Sequence, residues 1–284
     1  KKWKHADGGE ILPEYSLGGN IFKTVGGAAM VALGAGVTGL TGGLASPLGV
    51  AMASSGVGMM GSGISGFGDE LVITWIQNWV IHSLFSNPFS LFNANIYYPF
   101  QNSLAFSDLF MTSSILSFIP VKLIREPIVA FNFTLISSII FLGYSIYIFT
   151  FYITKNFWAS LLSGFLVIFS PAILDKTVHL QILSIFWVVF SVLFFVIFIN
   201  TQKYRFLIFS SIFFIFQVYN SFLPGYFILI WNLFIYIFYF FYKRKDAVKL
   251  IRLKYILTIV ITFLVVIPVV VPYYQVSHQF NYVR

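Results

Sequence analysis

The feature that most constrains the fold is a series of long apolar stretches after residue 127, separated by short polar segments. About 20 apolar residues in helical form cross the hydrocarbon core of a membrane. Because a chain in lipid has to satisfy its own backbone hydrogen bonds, we expect these stretches to be helices. They cover residues 128–152, 157–174, 182–199, 206–219, 222–242 and 255–271.

The composition agrees with a chain that faces lipid. Hydrophobic residues make up 58% of the sequence and charged residues 9%, and the mean hydropathy is +0.88. An ordinary soluble domain carries about 25% charged residues, so the composition excludes a soluble fold. The chain has no cysteine, which excludes disulfides, thiolate metal ligands and a cysteine nucleophile.

The first 67 residues differ in composition from the remainder. Eighteen of the 21 glycines lie at or before Gly68, and residues 25–67 carry no charge. Small residues allow close helix packing in a membrane, although each glycine weakens a helix by about 1 kcal/mol relative to alanine. We expect residues 1–67 to form a polar N-terminus and a Gly/Ala-rich first membrane segment. The change at residue 68 is consistent with an N-terminal segment that is foreign to the rest of the chain.

The positions of the basic residues predict which loops face the cytoplasm. If residues 103–119 crossed the membrane, nine basic residues would lie outside and eight inside, which the positive-inside rule disfavours. If residues 69–127 instead stay outside as one long loop, 13 lie inside and four outside. We therefore predict an all-α, polytopic transmembrane helix bundle of about seven spans, with an outer loop at 68–127 and the bundle over 128–284. The six basic residues between 243 and 254 are then a topology signal, not a nucleic-acid site.

Two segments of the outer loop have the composition of interfacial helices. Residues 70–84 include Trp75 and Trp79 among polar side chains, which is typical of an amphipathic helix with aromatic anchors. Residues 107–118 begin with a helix-start pattern at Asp108 and continue apolar. The outer face is predicted to collect this loop, the loop at 170–181 and the chain after residue 272.

The residues with the clearest chemical potential are Asp69 and Glu70, directly after the predicted first span. Adjacent carboxylates at a membrane boundary are costly to desolvate and need a metal, a proton or a cationic partner. They can ligate a divalent ion such as Mg²⁺ or Mn²⁺, or remove a proton from a substrate hydroxyl. Alternatively, Asp69 caps the following helix and Glu70 complements its dipole. Both roles use the same geometry, so both stay open.

Three further residues are candidates for substrate binding. His179 and Gln181 lie in the next outer loop and could hold a phosphate or hydroxyl near the carboxylates, although an interfacial histidine is more often structural. Asp108 is the third, with helix capping as its structural alternative. The sequence has no phosphate-binding glycine loop of Walker type, no nucleophile elbow and no paired-histidine zinc motif.

Several of these residues belong to a longer set of motifs. The set comprises Gly68-Asp69-Glu70-Leu71, Trp75, Trp79, the run from His82 to Pro88, the run from Leu91 to Phe100, Leu104-Ala105-Phe106-Ser107-Asp108, Ala130-Phe131-Asn132, Phe169-Ser170-Pro171 and His179-Leu180-Gln181. Over about residues 69–284 it resembles bacterial polytopic membrane proteins of the GT-C glycosyltransferase superfamily. Residues 1–67 do not match that pattern.

The resemblance implies transfer of a sugar from a polyprenyl-phosphate carrier to an acceptor hydroxyl at the outer face of a bacterial cell membrane. It implies that Asp69 acts as the general base or orients the acceptor, and that Glu70 assists or helps to bind a divalent ion. His179, Gln181 and Asp108 would surround the lipid phosphate or the sugar. Relatives normally continue beyond the point that corresponds to Arg284, so we expect further spans in a complete protein.

Two other functions are weighed against this one. A transporter or flippase for a lipid-linked or small substrate should carry ionisable residues within its spans or show an internal repeat. Beyond residue 127 the apolar stretches are nearly free of charge and no repeat is evident. A non-catalytic protein that assembles through its Gly-rich segment would fit residues 25–67, but it would leave the 69–127 loop unexplained.

Overall fold

The computed structural model describes residues 69–97, 99–124, 126–174, 176, 179–250 and 252–279. Within these ranges the side chains at positions 69, 124, 174, 245 and 249 are not described. The described part of the chain is helical and contains no strand. The predicted all-α class is therefore confirmed for these residues, whereas the predicted first membrane segment at 25–67 lies outside them.

Eleven α-helices and two short 3₁₀ turns, Pro88–Ser90 and Ser103–Phe106, make up the described fold. In chain order the helices are α1 (Asp69–Ser86), α2 (Met111–Ile124), α3 (Pro127–Thr154), α4 (Phe157–Ile168), α5 (Pro171–Leu174), α6 (Leu180–Leu183), α7 (Phe186–Thr201), α8 (Tyr204–Asn220), α9 (Phe222–Tyr242), α10 (Arg244–Lys249) and α11 (Leu253–Gln279).

Four helical segments in the described ranges are long and apolar enough to cross a membrane. They are Pro127–Thr154, Leu180–Thr201, Phe222–Tyr242 and Leu253–Gln279. Helix α4 has only 12 residues, a rise of about 18 Å, and α8 has 17. By length and composition, the described residues therefore contain four helices that could span a membrane, which suggests a membrane protein, and the count of seven stays a prediction.

Local signals explain where two neighbouring helices begin and end. Helix α3 starts at Pro127, a favoured first position because its missing N–H would have no helical partner. It ends at Thr154, because the next residue, Lys155, adopts a left-handed φ of 55°. Helix α4 begins where Asn156 Oδ1 accepts the Ala159 N–H at 3.0 Å. It ends at Ile168, shortly before a proline that starts α5.

The long helices alternate in direction and so define two ends of the bundle. The basic end contains the junctions after α3, α7 and α9. There Asn200 Nδ2 donates to Tyr152 Oη at 3.2 Å, and Tyr255 Oη donates to the Gln202 carbonyl at 3.3 Å. The opposite end, here called the loop end, contains the start of α3, the α8–α9 junction and the last turns of α11. Which end faces the cytoplasm stays a prediction from charge.

Cations at the basic end lie over aromatic rings. Lys155 Nζ lies 4.6 Å from the centroid of Tyr152, and Lys254 Nζ lies 5.1 Å from that of Tyr255. Arg205 and Lys243 make similar contacts with their neighbouring rings. This arrangement fits side chains that bury an apolar stem and keep a charge at the membrane surface.

Helices α1 and α2 correspond to the two segments that were predicted as interfacial helices, and both pack against helices of the bundle. Helix α1 packs against α2 and α3, and α2 also packs against α3 and α8. On α1, Ile76 is 1% exposed and Val80 0%, and both belong to the largest apolar cluster. The predicted 70–84 helix is thus present as Asp69–Ser86. The helix predicted at 107–118 starts later, at Met111.

Two glycines allow α3 and α4 to touch through their backbones. A Cβ on Gly164 would lie 2.7 Å from the Gly143 carbonyl oxygen, closer than real Cβ contacts. A Cβ on Gly143 would instead lie 2.9 Å from Cγ2 of Ile168, a side-chain methyl group and not a backbone atom. Small residues at such crossings are how membrane helices approach closely.

We expect Gly164→Ala to lower the thermal unfolding midpoint in detergent more than Gly143→Ala. The new methyl group of Gly164→Ala meets a backbone oxygen, so the helices have to separate, and overpacking of this kind costs about 1–3 kcal/mol. In Gly143→Ala the new methyl group meets a side-chain methyl of Ile168, which can shift with less disturbance of the helix backbones. A lower midpoint for Gly143→Ala than for Gly164→Ala would contradict this account of the α3–α4 contact.

Candidate functional site

The segment between α1 and α2, residues 87–110, is here called the connecting loop. Its start is tied to α1, because Trp79 Nε1–H donates to the Leu91 carbonyl at 2.9 Å. It also closes on itself, because Ser103 Oγ donates to the Ala94 carbonyl at 2.9 Å. These bonds give a segment rich in Asn and Pro a defined course over the loop end.

The connecting loop is also held against α11. Asn102 adopts a left-handed φ of 52°, which asparagine tolerates, and its Nδ2 donates to Gln275 Oε1 at 2.9 Å. Tyr273 Oη donates to the Ser107 carbonyl at 2.9 Å, and its ring meets that of Phe92 edge-on at 5.8 Å. The predicted meeting of the long loop with the chain after residue 272 is therefore present in the structure.

Three helix ends meet beneath this loop: the start of α2, the end of α8 and the start of α9. We call this place the helix-end junction. Phe110, at a left-handed φ of 51°, donates its backbone N–H to the Asn220 carbonyl at 2.8 Å and so satisfies the end of α8. Asn220 Oδ1 accepts from Thr112 Oγ1 and the Ser113 N–H at 3.0 Å each, and from Ser113 Oγ at 2.6 Å. A fully buried side chain of α8 thus caps α2.

Asp108 serves the third helix end. Burial raises the pKa of its carboxyl above the ordinary 3.8, and hydrogen bonds from the Ser221 side chain and the Phe222 backbone partly oppose that rise. A carboxylate at the start of a helix is also favoured by the helix dipole. The acid therefore does lie at a helix start, as the capping explanation proposed, but the helix is α9. The helix-start prediction for its own segment is wrong because Asn220 holds the first turn of α2.

Substitutions at Asp108 should separate the role of its charge from that of its hydrogen bonds. A raised folded-state pKa gives stability that is complete below the ordinary value and is lost as pH rises through the folded-state pKa. We expect Asp108→Asn, which keeps an acceptor, to remove that pH dependence of the unfolding midpoint. Asp108→Ala should lower the midpoint at every pH, because it leaves the donors from Ser221 and Phe222 without an acceptor. We expect the free energy of unfolding to fall by about 1–3 kcal/mol.

The exposed Glu126→Gln is the matched control for the Asp108 series. It removes a carboxyl at the same end, and we expect it to keep the pH profile of the unchanged chain. Identical profiles for Asp108→Asn and the unchanged chain would contradict the assignment of the pH dependence to Asp108.

The paired carboxylates open α1, which begins at Asp69. The side chain of Asp69 lies outside the described residues, so its predicted catalytic, capping and metal roles are not tested. Glu70 is 6% exposed, and its backbone carbonyl accepts from Thr74 Oγ1 at 2.7 Å. Further along the same helix Gln77 is 1% exposed, and neither its Oε1 nor its Nε2 has a hydrogen-bond partner among the described residues.

His179 and Gln181 lie at the start of α6. The His179 carbonyl accepts from the Ile182 N–H at 2.9 Å, while its side chain does not cap the helix. Gln181 Oε1 is buried without a hydrogen-bond partner in the described part of the chain. Buried polar atoms are ordinarily satisfied, so the Gln77 and Gln181 side chains have hydrogen-bonding capacity for a ligand or an ordered water.

One apolar cluster links the candidate residues. It contains Ile73 near Glu70, Leu109 next to Asp108, and Leu180 between His179 and Gln181. Each candidate therefore lies in sequence beside a member of this cluster. Asp108 is committed to the helix-end junction, whereas Glu70 belongs to α1 and Gln181 to α6, and both of these helices pack against α3.

A resident metal site is not evident in the described ranges. They contain no group of three or more His, Cys, Asp or Glu side chains arranged to hold an ion. The proposed Mg²⁺ or Mn²⁺ ligands were Asp69 and Glu70, and only Glu70 has a described side chain. The metal site at Asp69 and Glu70 thus stays a prediction.

An apolar cavity begins directly beside the helix-end junction. It has a volume of about 270 Å³ and lies between α8, α9 and α11, with Val218, Phe222 and Val270 among its walls. The backbone of Phe222 donates a hydrogen bond to Asp108, so the half-buried acid contacts a residue that lines the cavity. The loop end therefore combines polar groups with space for an apolar chain.

Sequence analysis missed Asn220, Ser221, Tyr273 and Gln77 as site residues. A signal existed for the first two, because Asn220 and Ser221 are a polar pair between two long apolar stretches. Gln77 was visible only as part of an amphipathic composition. Its complete burial depends on packing against α3, which one sequence does not show.

No family model, no curated protein and no solved structure matches the chain.

Proposed function

We propose that the chain is a membrane glycosyltransferase that moves a sugar from a polyprenyl-phosphate-linked donor to an acceptor hydroxyl at the loop end. The observation that carries the proposal is the position of Asp108, a half-buried acid at a junction of helix ends beside an apolar cavity of about 270 Å³. A lipid-linked donor needs an apolar space for its chain and polar groups around its reacting end.

The reaction requires the acceptor oxygen to attack the anomeric carbon of the sugar. The bond between that carbon and the phosphate oxygen breaks, and polyprenyl phosphate leaves with the electron pair. Asp69 is proposed to take the acceptor's proton or to orient its hydroxyl, with Glu70 assisting from the same helix turn. Charge that develops on the leaving phosphate has to be balanced by a cation or by hydrogen-bond donors.

The remaining candidates take different parts in this proposal. His179, Gln181 and Gln77 are proposed to bind the sugar or the phosphate, since the two glutamines retain unused hydrogen-bonding atoms. Asp108 is proposed as a positioning residue, because its hydrogen bonds go to Ser221 and Phe222. It would hold the connecting loop over the site and would not touch the substrate.

The proposal is tested with the full chain reconstituted in vesicles that contain polyprenyl phosphate carrying a labelled sugar. Label that leaves the carrier and appears on an added acceptor supports sugar transfer. Label that crosses the bilayer while still attached to the carrier supports the alternative, a transporter or flippase. The described spans argue against the alternative, because the only acidic, basic or histidine side chains in the four of them are Lys254 and His278, close to the two ends of α11.

The predicted orientation, with the connecting loop outside the cell, can be tested by cysteine labelling. The chain has no cysteine, so Ser90→Cys supplies a single labelling site on this loop. We expect a membrane-impermeant maleimide to label it in intact cells. Lys155→Cys, at the opposite end of the bundle, should react only after permeabilisation. Labelling of Ser90→Cys solely in permeabilised cells would contradict the predicted orientation.

A further inference from the structure

A second apolar cavity extends towards the basic end and shares three wall residues, Phe214, Leu229 and Phe263, with the cavity beside the helix-end junction. It has a volume of about 340 Å³ and is enclosed by α7, α8, α9 and α11, together with Leu250. Phe198, Leu207 and Tyr255 form its inner wall, and they belong to one buried cluster. The cavity thus has a packed floor at the basic end of the bundle.

Its outer side is open between two helices. Leu233 of α9 is 59% exposed and Ile259 of α11 is 47% exposed, and both line the cavity. These are the faces that the bilayer hydrocarbon contacts, because both helices are long and apolar enough to span a membrane. An apolar chain can therefore enter sideways from the lipid without crossing the membrane surface.

The basic end of this cavity carries positive charge. Lys254 Nζ lies 5.1 Å from the centroid of the Tyr255 ring, and that ring is part of the cavity wall. Lys254 also lies 5.4 Å from the ring of Tyr204, and the exposed Arg252 is two residues away. Among the described side chains, Lys243, Arg244 and Asp246 are the other acidic or basic groups of the neighbouring turn, and the sequence adds Lys245 and Lys249.

We propose that this cavity binds a phospholipid with an anionic head group, its acyl chain between α9 and α11 and its phosphate beside Lys254 and Arg252. Basic pockets between membrane helices recognise such head groups, and a juxtamembrane Lys or Arg attracts anionic lipid. The charge identifies the head group and the lateral opening identifies the bilayer as the source. The head-group end of this site lies at the end opposite the proposed sugar transfer, and the proposal does not depend on that function.

The test is a lipid titration of the full chain in detergent micelles, followed by native mass spectrometry. The two probes are phosphatidylglycerol and phosphatidylcholine. We expect phosphatidylglycerol to bind more tightly, and Lys254→Gln to weaken its binding about fivefold. Lys155→Gln is the matched control, because it removes a lysine at the same end that stacks on Tyr152 away from the cavity. It should leave the affinity unchanged.

A second pair of variants tests the cavity itself. Ser211→Phe places a ring in the cavity, whereas Ala159→Phe places one on an exposed face of α4. We expect only Ser211→Phe to abolish retention of phosphatidylglycerol. If Ser211→Phe does not fold, the comparison of Lys254→Gln with Lys155→Gln decides. Equal affinity for both lipids, equal loss in the two lysine variants, or a lipid-free dimer whose interface occupies the cavity would each overturn the proposal.

Discussion

Sugar transfer is expected to fall by about 10²–10⁴-fold when Asp69 and Glu70 are replaced together by Asn and Gln. A positioned general base contributes about that factor to a proton-transfer step, and the amides cannot accept the acceptor's proton. Both substitutions keep the size of the side chains, and the amides can still form hydrogen bonds at the start of α1. The measurement is the rate at which labelled sugar moves from the polyprenyl-phosphate carrier to an acceptor in vesicles.

Glu126→Gln is the matched control for this experiment, because it makes the same chemical change in an exposed acid. Its transfer rate should equal that of the unchanged chain. All three proteins have to insert equally into the membrane. Full transfer by the double variant would remove the carboxylates from the mechanism and leave the capping explanation in place.

Loss of the Asn220 amide should destabilise the helix-end junction. Asn220→Leu removes the acceptor of three hydrogen bonds, from Thr112 Oγ1, the Ser113 N–H and Ser113 Oγ. Two of the donors keep a longer alternative, because Thr112 Oγ1 lies 3.3 Å from the Phe216 carbonyl oxygen and Ser113 Oγ lies 3.3 Å from Ser184 Oγ. The buried Ser113 N–H loses its acceptor, which costs about 1–3 kcal/mol. We expect a loss of unfolding free energy in this range, measured as a lower thermal unfolding midpoint in detergent.

Asn200→Leu serves as the comparison, since Asn200 is exposed and makes one side-chain hydrogen bond, to Tyr152 Oη at 3.2 Å. Exposed substitutions of this type change stability by about 0.5 kcal/mol or less. Similar midpoints for the two variants would mean that the helix-end junction contributes little to stability. Asn220→Leu should also reduce sugar transfer, because α2 and the connecting loop lose their anchor.

The limits of prediction differ between the two kinds of helix. The apolar stretch 222–242 predicted Phe222–Tyr242 to the residue, because a basic cluster and a polar Asn-Ser pair border it. The stretch 157–174 was predicted as one helix, but α4 ends at Ile168, since Pro171 starts a new turn although the composition remains apolar. Apolar composition therefore locates a membrane segment better than it locates a helix end.

The candidate site was predictable where it depends on neighbours in sequence. The paired carboxylates and the helix after them were visible directly, because α1 begins at Asp69. The partners of Asp108 were not, since Ser221 and Phe222 lie more than 100 residues further along the chain and only the folded bundle brings them together. The start of α2 was misplaced for the same reason, because its cap comes from Asn220.

The connecting loop is fastened to the helices that form the walls of the cavity beside it. Asp108 holds the first turn of α9, while Ser107 and Asn102 are bonded to Tyr273 and Gln275 of α11. A lipid chain that pushes α9 and α11 apart would therefore pull on the loop, and a loop that lifts would loosen both helices. The connecting loop therefore couples the separation of α9 and α11 to the position of the polar groups above the cavity.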